Sequence, residues 1–283
     1  MGERLVARAP AKVNLFLHIT GRRADGYHLL ESLVAFTQVA DTLEAEMAPE
    51  LSLTVEGPFA GDAGGGGDNL VLKAARLLQQ HTATQSGAAL RLSKNIPVGG
   101  GLGGGSADAA AALKLLNQLW NLSLPDAQLL ALAPQLGADV AMCLNGSSAI
   151  ARGIGDELEP VSLPPMHAVL VHPRVPLLTK DVYGALATKT VFEQRVDARS
   201  ANTLHWLRAT ENDLEAPALM VQPMVAQVLA ALRSTSPQLA RMTGSGACCF
   251  GLYADSVAAH KAAAFIAQAN PEWWCVPTVI SPR

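Results

Sequence analysis

Residues 97–110 read PVGGGLGGGSADAA, and six of these fourteen residues are glycine, in two triplets separated by Leu102. The stretch follows an alternating apolar pattern and leads into an alanine-rich helical pattern that begins near Ser106. Glycine permits backbone conformations with positive φ, and a helix N-terminus offers unpaired N–H groups with a partial positive charge. The combination predicts a loop that binds phosphate oxygens. A flexible linker is the alternative, and it is disfavoured because linkers do not usually join a strand pattern to a helix pattern.

Three known kinds of phosphate-binding loop fit this stretch poorly. A P-loop NTPase needs GxxxxGK[ST], but no lysine precedes Ser106. The dinucleotide pattern GxGxxG is met by Gly99, Gly101 and Gly104, yet it also requires an acidic residue about twenty positions on. The nearest one, Asp126, is expected to cap a helix. A protein-kinase glycine loop lies in a hairpin, whereas this loop opens a helix. A nicotinamide-dependent dehydrogenase is therefore the weakest alternative.

The composition of the 283-residue chain is that of a globular protein with a large core, since 49% of residues are hydrophobic and 16% are charged. A net charge of −3 argues against a broad basic surface for nucleic acid. No uncharged apolar stretch reaches the roughly 18 residues that a membrane span requires. Arg8 and Lys12 interrupt the apolar residues where a signal peptide would lie. The expectation is a cytoplasmic protein that binds neither nucleic acid nor membrane.

The four cysteines indicate reduced thiols. Cys143, Cys248, Cys249 and Cys275 form no CxxC pair, which disfavours a zinc site or a disulfide framework. All four are predicted to be small buried hydrophobes.

Residues 12–19 alternate as a strand, with Lys12 and Asn14 two positions apart on one face. Such a strand can present both side chains to one ligand. An edge strand with a solvated face fits the same pattern equally well.

Helical patterns flank the glycine loop. Asn69 is predicted to cap a helix of about eleven residues. Ser123 and Asp126 predict a capping box for a helix that ends near Leu136. Asp139 follows in Gly-Ala-Asp-Val, where a local cap or turn residue is the alternative to a catalytic carboxylate.

The composition changes around residues 153–165, which predicts a domain boundary there. Beyond it the patterns indicate a strand, helices, a strand pair broken by Thr243-Gly-Ser-Gly, a helix and a last strand. Strands and helices interspersed with a hairpin predict an α+β fold.

Five stretches, in order along nearly the whole chain, resemble the motifs of the GHMP kinases, the family of galactokinase, homoserine kinase and mevalonate kinase. They are the glycine loop, APAKVNLFL at 9–17, RADGYH at 23–28, LGADV at 136–140 and MTGSGAC at 242–248. Five motifs in register are far more specific than any one of them. The resemblance implies the two-domain GHMP-kinase fold. Residues 1–158 would form the N-terminal, ATP-binding domain and residues 159–283 a C-terminal ferredoxin-like α/β sandwich, with the active site in the cleft between them.

The resemblance also implies that Lys12 and Asp139 are the catalytic pair. Asp139 would accept or orient the proton of a substrate hydroxyl, and Lys12 would hold its charge beside that hydroxyl and the γ-phosphate of ATP. Mg²⁺ would bridge the β and γ oxygens, with Ser106 as an oxygen donor near it. The implied ATP-binding residues are Asn69, Lys94, Pro97, Val98, Gly99, Gly100, Gly101, Leu102, Gly103, Gly104, Gly105, Ser106 and Ala107.

Within the family, the doubled glycine triplet and the RADGYH loop resemble members that phosphorylate the 2-hydroxyl of a cytidine diphosphate-linked methylerythritol, in isoprenoid precursor biosynthesis by the non-mevalonate pathway. The implied substrate residues are Tyr27 and Tyr183 around the cytosine, His28 at the base edge, Asn14 and Thr179 at the methylerythritol or its diphosphate, and Gly244, Ser245 and Gly246 closing the site. Asn212 and Asp213 are expected to support that wall. A monomer or weak homodimer is expected.

The chain departs from the family pattern at Ala141, where a proline is usual, and at Asp156, where Glu is common. Residues 187–207 align poorly. Two alternatives stay open: another small-molecule GHMP kinase, such as a homoserine or sugar kinase, and a catalytically inactive nucleotide-binding regulator.

Overall fold

The computed structural model describes residues 4–186 and 203–281. The strands are β1 (Leu5–Arg22), β2 (His28–Ala48), β3 (Ser52–Glu56), β4 (Gly87–Ser93), β5 (Ala149–Arg152), β6 (Glu157–Pro160), β7 (Met166–His172), β8 (Leu239–Met242), β9 (Cys249–Tyr253) and β10 (Trp274–Ser281). The helices are α1 (Ala60–Ala63), α2 (Leu70–Thr82), α3 (Gly104–Leu119), α4 (Asp126–Leu132), α5 (Val140–Asn145), α6 (Thr179–Gly184), α7 (Thr203–Arg208), α8 (Glu215–Val221), α9 (Met224–Ser234) and α10 (Ser256–Ala269).

These elements group into two compact units whose segments alternate along the chain. Unit 1 takes the described part of Met1–Ala11 together with Val39–Val98 and Gly103–Gly146; unit 2 takes Lys12–Gln38, Gly99–Leu102 and the described part of Ser147–Arg283. Each unit contains several separate segments of the chain, whereas the predicted domains are divided at one position. The predicted domain boundary after residue 158 therefore stays a prediction.

In unit 1, helices cover a small mixed sheet. β3 and β4 are parallel, with α2 between them in the chain, and β4 pairs antiparallel with Thr42–Ala48 of β2. The hydrophobic core is formed by the apolar side chains of this sheet and of α2, α3, α4 and α5. Residues 107–113 of α3 are all buried, because alanine predominates there and its small side chain lets neighbouring elements approach closely. This buried segment therefore fixes the position of α3 within unit 1.

In unit 2, four antiparallel strands run in the order β10-β7-β9-β8. The chain enters them as β7, helices, β8, β9, α10 and β10, which is the order of a ferredoxin-like α/β sandwich. β10 also pairs with β2 at Thr37, and β5 joins β2 to β6. A second core, formed largely by α8, α9, α10 and the inner face of this sheet, supports the unit. The predicted α+β class and the ferredoxin-like order are thus confirmed.

β1 differs from its pattern in burial. Residues 12–17 are all buried, including Lys12 and Asn14, so the alternative of an edge strand with a solvated face is wrong. Because Lys12 and Asn14 are both buried in this strand, the polar groups of each side chain need hydrogen-bond partners.

Some local predictions also fail. Pro125 occupies the N-cap of α4 without a side-chain cap, and Ser123 adopts a positive φ of 55°, so the predicted capping box does not form. Cys248 and Cys249 are buried, but Cys143 and Cys275 are only partly so. None of the helices in the described ranges is long and apolar enough to cross a membrane.

Candidate functional site

Lys12 and Asn14 point to the same side of β1 in unit 2 and contact each other. The Lys12 ammonium donates to Asn14 Oδ1 at 2.6 Å, and Asn14 Nδ2 donates to the Ser32 hydroxyl at 2.7 Å. The backbone N–H of Asn14 donates to Thr243 Oγ1 at 2.8 Å. The structure thus brings together two predicted site residues from the first motif and the first residue of the 243–246 loop.

The first glycine triplet lies against that loop. A Cβ at Gly101 would stand 2.3 Å from the carbonyl oxygen of Thr243, and one at Gly244 would stand 2.9 Å from the carbonyl oxygen of Gly101. Both glycines have positive φ, 73° and 56°. Only residues without a Cβ permit this approach of two backbones. The glycines at 101 and 244 are therefore required by packing as well as by conformation.

Backbone hydrogen bonds fix the same segment from two further directions. Lys12 N–H donates to the Leu102 carbonyl at 2.9 Å, and Cys248 N–H donates to the Gly100 carbonyl at 3.2 Å. The first triplet is thus held in one conformation. A flexible linker, the alternative considered for this stretch, is not observed.

Asn212 supports the 243–246 loop from behind. Its Nδ2 donates to the carbonyls of Met242 and Gly244, both at 2.9 Å, and the neighbouring Asp213 accepts from the backbone of Ile19 at 2.8 Å. Asn212 thus supports this wall as predicted. The Asp213 carboxylate contacts β1 at Ile19, so a supporting role for Asp213 at the 243–246 loop stays a prediction.

Arg241, a residue that no local sequence signal marks, is buried beside β1. Its guanidinium donates to the carbonyls of Leu15 and Leu207, at 2.5 and 3.0 Å, and to Thr210. Burial lowers the pKa of Arg241 to about 10. The side chain ties β1 to the 207–210 segment.

The residues predicted for the substrate form two further contacts in unit 2. The hydroxyls of Thr179 and Ser245 are 2.9 Å apart, and the rings of His28 and Tyr183 face each other with centroids 4.9 Å apart. Tyr27 is 61% exposed. Burial, together with the nearby charge of Arg22, lowers the pKa of His28. A neutral imidazole offers one donor and one acceptor, as recognition of a base edge requires.

In unit 1, the second glycine triplet forms the start of α3. Gly103 is the N-cap with a positive φ of 64° and makes no side-chain cap, while Gly105 is exposed and Ser106 half-buried. Leu70, the first residue of α2, lies beneath it, since a Cβ at Gly105 would stand 3.4 Å from Leu70 Cδ1. The first amides of α3 thus have the character of an anion site: no competing side-chain cap and the positive end of a sixteen-residue helix.

Lys94 lies beneath the start of α3 in a buried ion cluster. Its ammonium contacts Asp41 and, at 2.6 Å, Asp108 of α3. A Cβ at Gly104 would stand 3.0 Å from Lys94 Nζ. The second Asp41 oxygen accepts from the backbone of Asn95 and Ile96, at 2.5 and 2.8 Å. The cluster therefore joins β2, which carries Asp41, to residues 94–96 after β4 and to Asp108 of α3.

The cluster holds two carboxylates and one ammonium. Burial raises the pKa of Asp108 to about 7, against the opposing effect of Lys94. Its second oxygen has no hydrogen-bond partner among the described residues. Asp41 and Asp108 were missed by the sequence analysis, because no local motif links positions 41, 94 and 108.

Asn69 is predicted both to cap α2 and to border the nucleotide. The cap is confirmed: Oδ1 accepts from Val71 N–H at 2.9 Å, and Nδ2 donates to the Gly64 carbonyl at 2.8 Å. Contact with the nucleotide stays a prediction.

Asp139 occupies the N-cap of α5 in unit 1. It is half-buried, follows Gly137 with its φ of 151°, and makes no side-chain cap to the helix. The side chain of Asp139 therefore does not cap α5, whereas its place in a turn directly before that helix agrees with the alternative of a turn residue. In the described ranges, no three His, Cys, Asp or Glu side chains are grouped to hold a metal ion.

Comparisons with known proteins agree with the motifs. The model of the GHMP kinases N terminal domain matches residues 69–147, and the GHMP kinases C terminal model matches residues 198–272. A 4-diphosphocytidyl-2-C-methyl-D-erythritol kinase of Paramagnetospirillum magneticum is 50% identical, over 95% of this chain and 96% of its own.

Solved structures give the same result. A crystal structure of 4-(cytidine 5'-diphospho)-2C-methyl-D-erythritol kinase is 35% identical with a TM-score of 0.81, covering 98% of this chain and all of its own. A homoserine kinase from Cytophaga hutchinsonii, 20% identical with a TM-score of 0.74 over 100% of this chain and 96% of its own, shares the fold. The chain belongs to the GHMP kinase family.

Proposed function

We propose that the chain transfers the γ-phosphoryl group of ATP to the 2-hydroxyl of 4-diphosphocytidyl-2-C-methyl-D-erythritol, giving the 2-phosphate and ADP, in isoprenoid precursor biosynthesis by the non-mevalonate pathway. The observation that carries the proposal is the 50% identity to a relative of that name over 95% of this chain. The homoserine kinase that shares the fold is far more distant in sequence, at 20% identity.

Asp139 is the residue proposed to accept the proton of the substrate hydroxyl as its oxygen attacks the γ-phosphorus. Phosphoryl transfer has a loose transition state, so catalysis depends on positioning and on neutralising charge. Lys12 supplies a positive charge for the transferred phosphoryl group. The buried position of Lys12 supports this role, because a desolvated cation interacts more strongly with phosphate oxygens than a solvated one.

The amides of residues 98–107 are proposed to hold the ATP phosphates. The uncapped N-terminus of α3 and the positive φ of Gly99, Gly101 and Gly103 support this assignment. Mg²⁺ supplies neutralisation of the β and γ phosphate charges when it arrives with ATP, and Ser106, half-buried at the helix start, offers a hydroxyl oxygen to it.

The cytidine diphosphate end is proposed to bind in unit 2. The rings of His28 and Tyr183 already pair, and Tyr27, which directly precedes His28 in the chain, is exposed. A base stacked on an aromatic ring gains about 1–3 kcal/mol in nucleic-acid systems, enough to anchor a small substrate. Thr179 and Ser245, with Gly244 and Gly246, are assigned to the methylerythritol or its diphosphate. The chain is proposed to act as a monomer or weak homodimer.

ATP consumption measured with the cytidyl alcohol, homoserine and galactose tests the proposal. Turnover is expected with the cytidyl alcohol, and turnover with only homoserine or galactose would contradict the proposal.

Asp139→Asn is expected to lower kcat by about three or more orders of magnitude while ATP still binds, because the substrate hydroxyl loses its proton acceptor. A near-normal kcat in Asp139→Asn would show that this carboxylate is structural.

A further inference from the structure

We propose that Ser32 is a positioning residue which, acting through Asn14, orients the ammonium of Lys12 for phosphoryl transfer. The kinetic part of this inference rests on the proposed function. It assigns Asn14 to Lys12, in place of the contact with substrate that the sequence implies, and it gives a role to a serine outside every motif quoted above.

The three side chains form one chain of hydrogen bonds within unit 2. Ser32 Oγ donates to the carbonyl oxygen of Phe16 at 2.6 Å. Asn14 Nδ2 donates to Ser32 Oγ at 2.7 Å, and Lys12 Nζ donates to Asn14 Oδ1 at 2.6 Å.

The direction of each bond is dictated by the group at the end of the chain. A carbonyl can only accept, so the single hydroxyl proton of Ser32 is committed to Phe16. Ser32 can then only accept from Asn14, which places the NH₂ end of the amide at Ser32. The carbonyl end therefore faces Lys12. A flipped amide would set NH₂ against the ammonium and oxygen against a lone pair, and both contacts would be repulsive.

Burial makes this arrangement effective. Ser32, Asn14 and Lys12 are 0%, 4% and 5% exposed, so bulk water does not replace a lost partner. The backbone of Asn14 is held by Thr243, and a Cβ at Gly244 would stand 3.4 Å from Asn14 Oδ1. The amide thus has little freedom to move away from Lys12.

The consequence for catalysis follows from the flexibility of lysine. Its four-carbon side chain has many rotamers, and its ammonium is a point charge without a preferred direction. A charge-assisted bond to an amide oxygen of fixed orientation selects one position for that charge. Without the Ser32 hydroxyl, the hydrogen bonds from Phe16 to Lys12 no longer fix which end of the Asn14 amide, oxygen or NH₂, faces the ammonium.

The test compares variants that differ by one hydroxyl. Ser32→Thr and Ser32→Val have the same shape, and only the first keeps the hydroxyl. Ser32→Ala removes it without added volume. Ser148→Ala is the matched control, because Ser148 is buried and its hydroxyl has no hydrogen-bond partner among the described residues.

We expect Ser32→Ala and Ser32→Val to lower kcat about 10–100-fold, the scale of a misplaced catalytic group, with the KM for ATP within about twofold of wild type. Ser32→Thr is expected to recover most of the kcat of wild type, and Ser148→Ala to change neither constant. In an Asn14→Ala background, removing the Ser32 hydroxyl should have no further effect, because the two residues act as one unit. Equal kcat values for the Thr and Val variants, or independent effects of Ser32 and Asn14, would overturn the proposal.

A crystal structure of Ser32→Val separates this inference from the proposed function. The inference requires the Asn14 amide to turn or the Lys12 ammonium to move by more than about 1 Å relative to wild type. If the wild-type chain does not phosphorylate the cytidyl alcohol, the proposed function fails, and unmoved Lys12 and Asn14 in this crystal structure would overturn the positioning role separately.

Discussion

A single methyl group at Gly101 would collide with backbone. Gly101 and Gly99 have nearly the same φ, 73° and 71°, yet a Cβ at Gly99 has no atom within 4 Å, whereas one at Gly101 would stand 2.3 Å from the Thr243 carbonyl. The two glycines therefore separate the cost of the conformation from the cost of the clash.

We expect Gly99→Ala to lose about 1–2 kcal/mol of unfolding free energy, the cost of a left-handed backbone for alanine. Gly101→Ala should lose a further 1–3 kcal/mol or so, because the clash forces the 243–246 loop away. Urea denaturation of both variants measures the difference. Equal losses would mean that the loop moves aside freely.

The same positions show what a sequence can and cannot predict at this scale. Glycine triplets predict a loop with positive φ, and this conformation is confirmed at Gly99, Gly101 and Gly103. That Gly101 faces Thr243 depends on a contact over more than 140 positions of sequence. The Ser32 hydroxyl is a stronger example, because an isolated serine in an apolar run carries no local signal.

At the scale of elements, two helices have side-chain N-caps that can be compared directly. Asn69 caps α2, and Asp255 caps α10 in the same way, accepting from Ala258 N–H at 2.8 Å. The two helices lie in different units, so Asp255 is a matched control for loss of a cap alone.

Asn69→Ala and Asp255→Ala are each expected to lower the free energy of unfolding by about 1 kcal/mol, the usual cost of an N-cap. If Asn69 also borders the nucleotide, as the family resemblance implies, Asn69→Ala should raise the KM for ATP about three- to tenfold, the loss of one hydrogen bond, and Asp255→Ala should leave it unchanged. An unchanged KM for ATP in both variants would leave Asn69 with the cap as its sole role.

Elements were the most predictable part of the fold. The helix at 70–82 lies within two residues of the eleven-residue helix predicted after Asn69, since apolar spacing and caps are local. The capping box at Ser123 fails because α4 begins at Asp126 with Pro125 as its N-cap, which leaves Ser123 two residues before the N-cap. β1 extends from Leu5 to Arg22, beyond the predicted residues 12–19, because the ends of a strand depend on its pairing, here with β2, which the alternation of residues 12–19 does not show.

At the scale of the whole molecule, the buried cluster of Lys94, Asp41 and Asp108 makes stability depend on pH. Its two carboxylates share one ammonium, and burial raises the pKa of Asp108 from 3.8 to about 7. Between these values the folded chain keeps a proton that the unfolded chain releases. The folded state thus binds more protons, so the contribution of Asp108 to the free energy of unfolding falls as pH rises through this interval.

Asp108→Asn keeps the shape of the side chain and removes this titration. We expect the free energy of unfolding of Asp108→Asn, relative to wild type, to increase between pH 5 and pH 7 and to become constant above about pH 8. Urea denaturation at unit intervals of pH measures it. Asp126→Asn, at an exposed aspartate in the first turn of α4, is the matched control. Its difference from wild type should stay constant over the same range, because water solvates this exposed side chain in the folded and in the unfolded chain alike. A constant difference for Asp108→Asn as well would mean that the nearby ammonium of Lys94 keeps Asp108 charged in the folded chain over this range of pH.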